Sequence, residues 1–194
     1  MTVPNLLSIF RMGLIPLFII ALVDGRPARA LAIFLIAGLT DALDGFIARF
    51  WGQQSHLGTY LDPMADKLLL VAAFVILAIP PAGGGLTIPV WVSVLVIARD
   101  VLIVVMCLVF YLAVHVTSFQ PAMIGKVSTA VQLGTVVLVL LARIWPRITG
   151  VAVGAIYATA LLAVASGLFY MFRASRMSEM KAQSPPTAQR RSPG

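Results

Sequence analysis

Apolar residues fall into six long blocks, near Leu6–Val23, Ala30–Arg49, Gly58–Ile79, Val90–Val114, Ala122–Ile144 and Ile148–Phe172. Each is close to the about 20 apolar residues that a helix needs to cross a hydrocarbon core. The breaks between them carry turn-forming residues: Asp24-Gly25-Arg26-Pro27, Trp51–His56, the Pro80-Pro81-Ala82-Gly83-Gly84-Gly85 run, His115–Pro121 and Trp145-Pro146-Arg147. The pattern predicts an all-α integral membrane protein of six transmembrane helices over residues 1–173. Residues 174–194 are polar, with Ser184-Pro185-Pro186 and Arg190-Arg191, and read as a disordered basic tail. The first block is read as a retained helix, because no basic segment precedes it and Arg11 interrupts its core.

Composition narrows the class. Hydrophobic residues make up 60% of the 194, charged residues only 11%, and mean hydropathy is +1.00. Soluble domains carry about 45–50% apolar and about 25% charged residues, so a soluble globule and a disordered chain are both excluded. Six or seven spans consume nearly the whole length, which leaves no room for a soluble domain. The single cysteine, Cys107, sits in an apolar run, so neither a disulfide framework nor a thiolate metal site is available. The formal charge of +7 fits anionic lipid headgroups at helix ends, with no nucleic acid as partner. An even number of spans puts both termini on one side. Arg49, Arg173, Arg176, Lys181, Arg190 and Arg191 gather there, against Arg26, Arg29, Arg143 and Arg147 opposite. The excess predicts cytoplasmic termini. Trp51, Trp91 and Trp145 lie near predicted helix ends, as interfacial anchors do.

The acids carry the chemistry. Five of the seven, Asp41, Asp44, Asp62, Asp66 and Asp100, lie within the apolar blocks or at their ends. A charge near the bilayer centre costs about 2.5–3.5 kcal/mol on insertion scales, so such residues need partners or water. Asp41 and Asp44 are spaced i, i+3 and Asp62 and Asp66 i, i+4, so each pair shares a helix face. The short connection between the second and third blocks turns the helices antiparallel and lets the pairs meet. Gly45, Ala48 and Gly58, each one turn from an aspartate, leave a groove with Arg49 at its mouth. Four carboxylates without His or Cys form a hard oxygen site suited to two Mg²⁺ or Mn²⁺ ions and a phosphate substrate. The alternative is a set of structural ion pairs with Arg11, Arg49, Lys67, Arg99 or Lys126. His56 and His115 read as solvated residues.

The run Asp41-x2-Asp44-Gly45-x2-Ala48-Arg49-x8-Gly58-x3-Asp62-x3-Asp66 resembles the signature of the CDP-alcohol phosphatidyltransferases, and matches it at every position. Pro4-Asn5-Leu6-Leu7-Ser8 with Arg11 resembles that family's first helix. The resemblance covers roughly residues 4–173. It implies six transmembrane helices, a homodimer, and transfer of a phosphatidyl group from CDP-diacylglycerol to an alcohol with release of CMP. Carried over by position, Asp41, Asp44, Asp62 and Asp66 hold the metals, and Asp66 also takes the acceptor hydroxyl's proton. Asn5, Gly45, Ala48, Arg49, Ser55 and Gly58 contact the nucleotide and diphosphate. The site is expected at the cytoplasmic face of a bacterial inner (plasma) membrane.

Lys67, Arg99 and Lys126 fall on three helices and are read as a cationic pocket for an anionic glycerol-type acceptor, glycerol 3-phosphate or phosphatidylglycerol. Alternatively each balances an aspartate or reaches toward the interface. Ala98-Arg99-Asp100 and Gly125-Lys126-x2-Thr129-Ala130-x-Gln132 resemble the glycerol-acceptor branch, and Arg99-Asp100 with Phe110-Tyr111 is closer to the cardiolipin synthases. Inositol phosphate is the other acceptor considered. From another class, six spans with buried acids and bases also describe an ion-coupled transporter. Against that, the acids crowd one end of two adjacent helices and no inverted repeat is apparent.

Overall fold

The computed structural model describes residues 3–51, 58–81, 83–114 and 123–182, without the side chains of 3–8, 41–51, 58–66, 106–114, 123–124, 126 and 170–182. Six helices account for nearly all of the described chain: α1 Val3–Val23, α2 Pro27–Trp51, α3 Gly58–Ala78, α4 Val90–Val114, α5 Met123–Ile144 and α6 Thr149–Ala182. A single 3-10 turn, Pro146–Ile148, precedes α6. The helices lie over the six apolar blocks because each break contains residues that stop one helix and start the next. After α1 the Arg26 amide donates to the Ala21 carbonyl and the Gly25 amide to Leu22, with Gly25 at φ 68°. That left-handed position closes the helix and suits glycine; Pro27, which lacks the N–H a first turn does not need, opens α2.

The helices close into a ring. α1 packs against α2 and α3, α3 against α4, α4 against α6, α6 against α5, and α5 against α2. Buried residues recur at helical spacing on the inward faces, as with Leu14, Phe18, Ala21 and Leu22 on α1. Ala30, Phe34 and Ala37 on α2, and Ala152, Ile156, Ala160 and Ala163 on α6, do the same. The alanines let helix backbones approach closely, and Phe18 meets Phe34 with ring centroids 5.8 Å apart. Outward faces are apolar too: Leu17, Ile20, Leu35, Leu39, Val94, Val104, Val151 and Leu161 are all exposed. A bundle apolar on both inner and outer faces is suited to lipid rather than water. Among the described residues, Val127–Ile144 and Pro146–Phe169 are long and apolar enough to cross a membrane, and Ile9–Val23, Pro27–Thr40 and Lys67–Ala78 form shorter apolar runs.

One boundary differs from the sequence reading. α6 continues past residue 173 to Ala182. Polarity marks where a helix leaves an apolar environment, but it does not end the helix. Arg173, Ala174, Arg176, Met177, Glu179, Met180 and Lys181 all favour helix, and no Gly or Pro intervenes before Ser184-Pro185. The tail beyond 182 lies outside the described residues.

The end of the ring formed by the α1–α2, α3–α4 and α5–α6 connections is tied by Arg143. Its Nε donates to the Leu86 carbonyl at 2.9 Å and its Nη2 to the Leu77 carbonyl at 3.3 Å. It thus serves the open C-terminal end of α3 and the linker after it, where the Ile88 amide also donates to Leu77. Ser93 on α4 adds a bond to the Phe74 carbonyl at 2.9 Å. Replacing Arg143 by Met keeps much of the packing and strands two partly buried carbonyls. The expected loss is about 1–2 kcal/mol, or a melting midpoint lower by about 2–8 °C in detergent. An unchanged midpoint would remove Arg143 from this role.

Candidate active site

At the opposite end, the unbroken helical backbone keeps the spacing on which the acid pairs depend. Asp41, Asp44, Gly45, Ala48 and Arg49 lie in the second half of α2, and Gly58, Asp62 and Asp66 in the first half of α3. By register Asp41 and Asp44 share one face of α2, and Asp62 and Asp66 one face of α3. Both helices pack on α1, whose first turn contains Asn5. The side chains of these residues are outside the description, and Ser55, His56 and His115 lie outside the described residues altogether. Among the residues whose side chains are described, which do not include these four aspartates, no group of three or more His, Cys, Asp or Glu gathers. The donor set that α2 and α3 carry, four carboxylates on two helices, fits hard divalent cations by its chemistry.

Directly beyond Asp66 the geometry is defined in atomic detail. Lys67 Nζ donates to Asp100 Oδ2 at 2.6 Å, and Arg99 Nη1 to Asp100 Oδ1 at 2.6 Å. Arg99 Nε donates to Ser166 Oγ at 2.9 Å, and Ser166 in turn donates to the Ala163 carbonyl at 3.1 Å. The chain of contacts crosses α3, α4 and α6. Arg99, Asp100 and Ser166 are buried, whereas the Lys67 side chain is 39% exposed. Two cations therefore share one carboxylate, which leaves these three groups with a net positive charge. The Lys67 arm meets solvent or headgroups and is the weaker of the two; the Arg99 arm is dehydrated and short.

Of the three cations expected to converge, Lys67 and Arg99 are brought together, through Asp100. Lys126 lies on α5, with its side chain outside the description. Arg11 is fully buried on α1. Among the polar side chains deep in the bundle that had no role assigned from sequence are Ser166, Ser128 and Gln132, at 0%, 1% and 0% exposure. A signal for Ser166 was present in its spacing from Thr159, i, i+7 on one face of an otherwise apolar helix. Nothing in that spacing names Arg99 as its partner.

Comparisons with known proteins place the chain in a family. The family model for CDP-alcohol phosphatidyltransferase matches residues 1–170. A probable cardiolipin synthase (CMP-forming) of Drosophila melanogaster is 35% identical over 188 residues, covering 88% of this chain and 57% of the relative. Cardiolipin synthase (CMP-forming) of Homo sapiens is 38% identical over 150 residues, 68% of this chain and 48% of the relative. The CDP-diacylglycerol–glycerol-3-phosphate 3-phosphatidyltransferase of Escherichia coli (strain K12) is 33% identical over 173 residues, 87% of this chain and 92% of the relative. The chain thus spans about half the length of the cardiolipin synthases it matches, and nearly all of the bacterial relative. With the match running from the first helix through the sixth, the chain belongs to the CDP-alcohol phosphatidyltransferase family.

Proposed function

We propose that this protein is a CDP-diacylglycerol-dependent phosphatidyltransferase that moves the phosphatidyl group to a glycerol-type alcohol and releases CMP. The observation that carries the reading is the position of the Lys67–Asp100–Arg99 network, immediately beyond the aspartate signature on α2 and α3. A cationic layer next to an acid cluster suits a reaction between a diphosphate and an anionic acceptor. The names of the relatives, divided between cardiolipin synthesis and transfer to glycerol 3-phosphate, support an acceptor of this class.

In this reading Asp41, Asp44, Asp62 and Asp66 hold two Mg²⁺ or Mn²⁺ ions, which neutralise charge on the diphosphate when bound. Asp66 positions the acceptor hydroxyl and takes its proton. The hydroxyl oxygen forms a bond to the phosphorus that bears diacylglycerol, and the bond from that phosphorus to the CMP oxygen breaks. CMP leaves with the electron pair. Asn5, Gly45, Ala48, Arg49, Ser55 and Gly58 form the nucleotide and diphosphate wall; Gly45 and Gly58 leave room for a ligand close to the backbone. Arg99, Lys67 and Lys126 receive the acceptor's phosphate. The same reading places six spans in the bilayer, a partner copy alongside, and both termini and the site on the cytoplasmic side. The apolar outward faces and the distribution of arginines support the membrane placement.

The test is CMP release by the purified chain in detergent with CDP-diacylglycerol and Mg²⁺ or Mn²⁺. Parallel reactions contain glycerol 3-phosphate, phosphatidylglycerol or inositol phosphate. Release driven by one of the first two and abolished by chelation is expected. A folded protein that releases no CMP with any acceptor would overturn the reading and leave an ion-coupled carrier as the alternative.

A further inference from the structure

The polar layer has atoms left over. Arg99 spends Nε on Ser166 and Nη1 on Asp100, while its Nη2 is buried without a hydrogen-bond partner among the described residues. Ser128 Oγ and both amide atoms of Gln132, Oε1 and Nε2, are likewise buried and unpartnered. These belong to one level of the bundle. Thr135 on α5 and Thr159 on α6 meet at 2.7 Å, with the Thr135 hydroxyl also 3.2 Å from the Ala155 carbonyl. About two turns back along α5 from Thr135 lies Ser128, and about two turns on along α6 from Thr159 lies Ser166. Because α5 and α6 run antiparallel across the short Trp145–Ile148 connection, those two serines fall at the same height, which is the height of Arg99. Gln132 is one turn away on the same side of α5, and helical side chains lean toward the preceding turn, here that of Ser128.

Buried polar groups in native bundles are almost always paired, and stranding one in a low-dielectric interior is costly. Four such atoms from three side chains, gathered at one level of the bundle, offer a set of hydrogen-bonding positions that a polar ligand would satisfy. Their chemistry differs in a useful way. Arg99 Nη2 is a pure donor and the Ser128 hydroxyl can donate, so the pair suits phosphate oxygens. Gln132 offers a donor and an acceptor side by side. A phosphate would leave its Oε1 facing negative charge, whereas a hydroxyl, itself donor and acceptor, satisfies both atoms.

We propose that Gln132 reads the second, non-attacking hydroxyl of the acceptor's glycerol, while Ser128 and Arg99 Nη2 hold its phosphate. This rests on the phosphatidyltransferase reading and adds the residue that selects the acceptor. A vicinal hydroxyl beside a phosphate occurs both in glycerol 3-phosphate and in the headgroup of phosphatidylglycerol.

The experiment uses the full chain in detergent and pairs each acceptor with its analogue lacking that hydroxyl. Glycerol 3-phosphate is set against propane-1,3-diol monophosphate, and phosphatidylglycerol against phosphatidyl-propane-1,3-diol. A site built to hydrogen-bond a hydroxyl discriminates strongly against its absence, so the wild-type chain is expected to prefer the hydroxylated acceptor by about 100-fold in kcat/KM. Whichever pair shows turnover identifies the source. In Gln132→Leu the preference is expected to fall to about threefold or less, the level of a hydrophobic contact, with the KM for CDP-diacylglycerol unchanged. Its melting midpoint should equal or exceed wild type, since an apolar side chain of similar size removes stranded polar atoms. Ser128→Ala should raise KM for hydroxylated and deoxy acceptors alike.

An unchanged preference in Gln132→Leu overturns the proposal, as it would if a resident water filled the layer. A Gln132→Leu chain that melts earlier or fails to fold assigns Gln132 to packing and also overturns it. Wild-type turnover combined with either result leaves the phosphatidyltransferase reading intact; no wild-type CMP release with any acceptor removes both.

Discussion

Asp41→Asn is expected to reduce metal-dependent CMP release by at least about 10²–10³-fold, the range seen when one group stabilising transition-state charge is deleted. Asparagine keeps the shape and the helix position of aspartate and removes one negative charge, so a change in activity is a change in electrostatics and not in packing. A hard divalent cation is held by anionic oxygens, and an amide oxygen is a weaker ligand. The loss should therefore be partly offset by raising the metal concentration, and a titration of Mg²⁺ or Mn²⁺ against CMP release reads this directly. Asp66→Asn is expected to be more severe and not to recover with added metal, because it also removes the group that takes the acceptor's proton. Unaltered release in Asp41→Asn would overturn the site assignment. A flux of ions or protons that depends on the same aspartates, with no CMP formed, would move the chain to the carrier class.

What the sequence disclosed and what it hid divide along a physical line. Helix limits are local, set by Gly25 at positive φ, by Pro27 at the start of α2, and by the proline and glycine run between α3 and α4. Such signals are written in adjacent residues. The i, i+3 and i, i+4 aspartate pairs are equally local, and a helical backbone is all that they need. Side-chain partners across the ring are not local. Arg99 and Ser166 are joined only because α4 and α6 pack in one particular register, and no spacing within either helix encodes that. Asp100 was visible as an acid in an apolar block, yet its role as the shared counter-ion of Lys67 and Arg99 depends on α3 lying beside α4. Arg143 is the mirror case. Counted as a basic residue near a helix end, it instead turns onto the carbonyls of Leu77 and Leu86. The end of α6 was misplaced for a different reason, since a polar sequence can be a good helix.

Asp100 is where removal of a single group should cost most in stability. Among the described residues, Asp100→Ala leaves the buried Arg99 guanidinium with Ser166 as its remaining partner and frees Lys67 as well. Breaking a buried pair by deleting one member costs about 3–5 kcal/mol, mostly the penalty of an uncompensated charge. The Arg99 arm dominates, because Lys67 is partly exposed and can be hydrated or reach a headgroup. A melting midpoint lower by about 6–20 °C is expected in detergent, before any effect on chemistry. The double variant Arg99→Met with Asp100→Leu then separates the two meanings of the network. Buried ion pairs replaced by apolar residues of similar size are often no less stable, so most of the lost midpoint should return. Acceptor use should not return, because Arg99 Nη2 is gone; KM for the glycerol-type acceptor should stay raised at least about tenfold, the worth of about one charge-assisted hydrogen bond. Recovery of both stability and acceptor KM in the double variant would mean that Arg99 and Asp100 only hold helices together. The acceptor's phosphate would then have to be met without Arg99, by Lys67, Lys126 and Ser128.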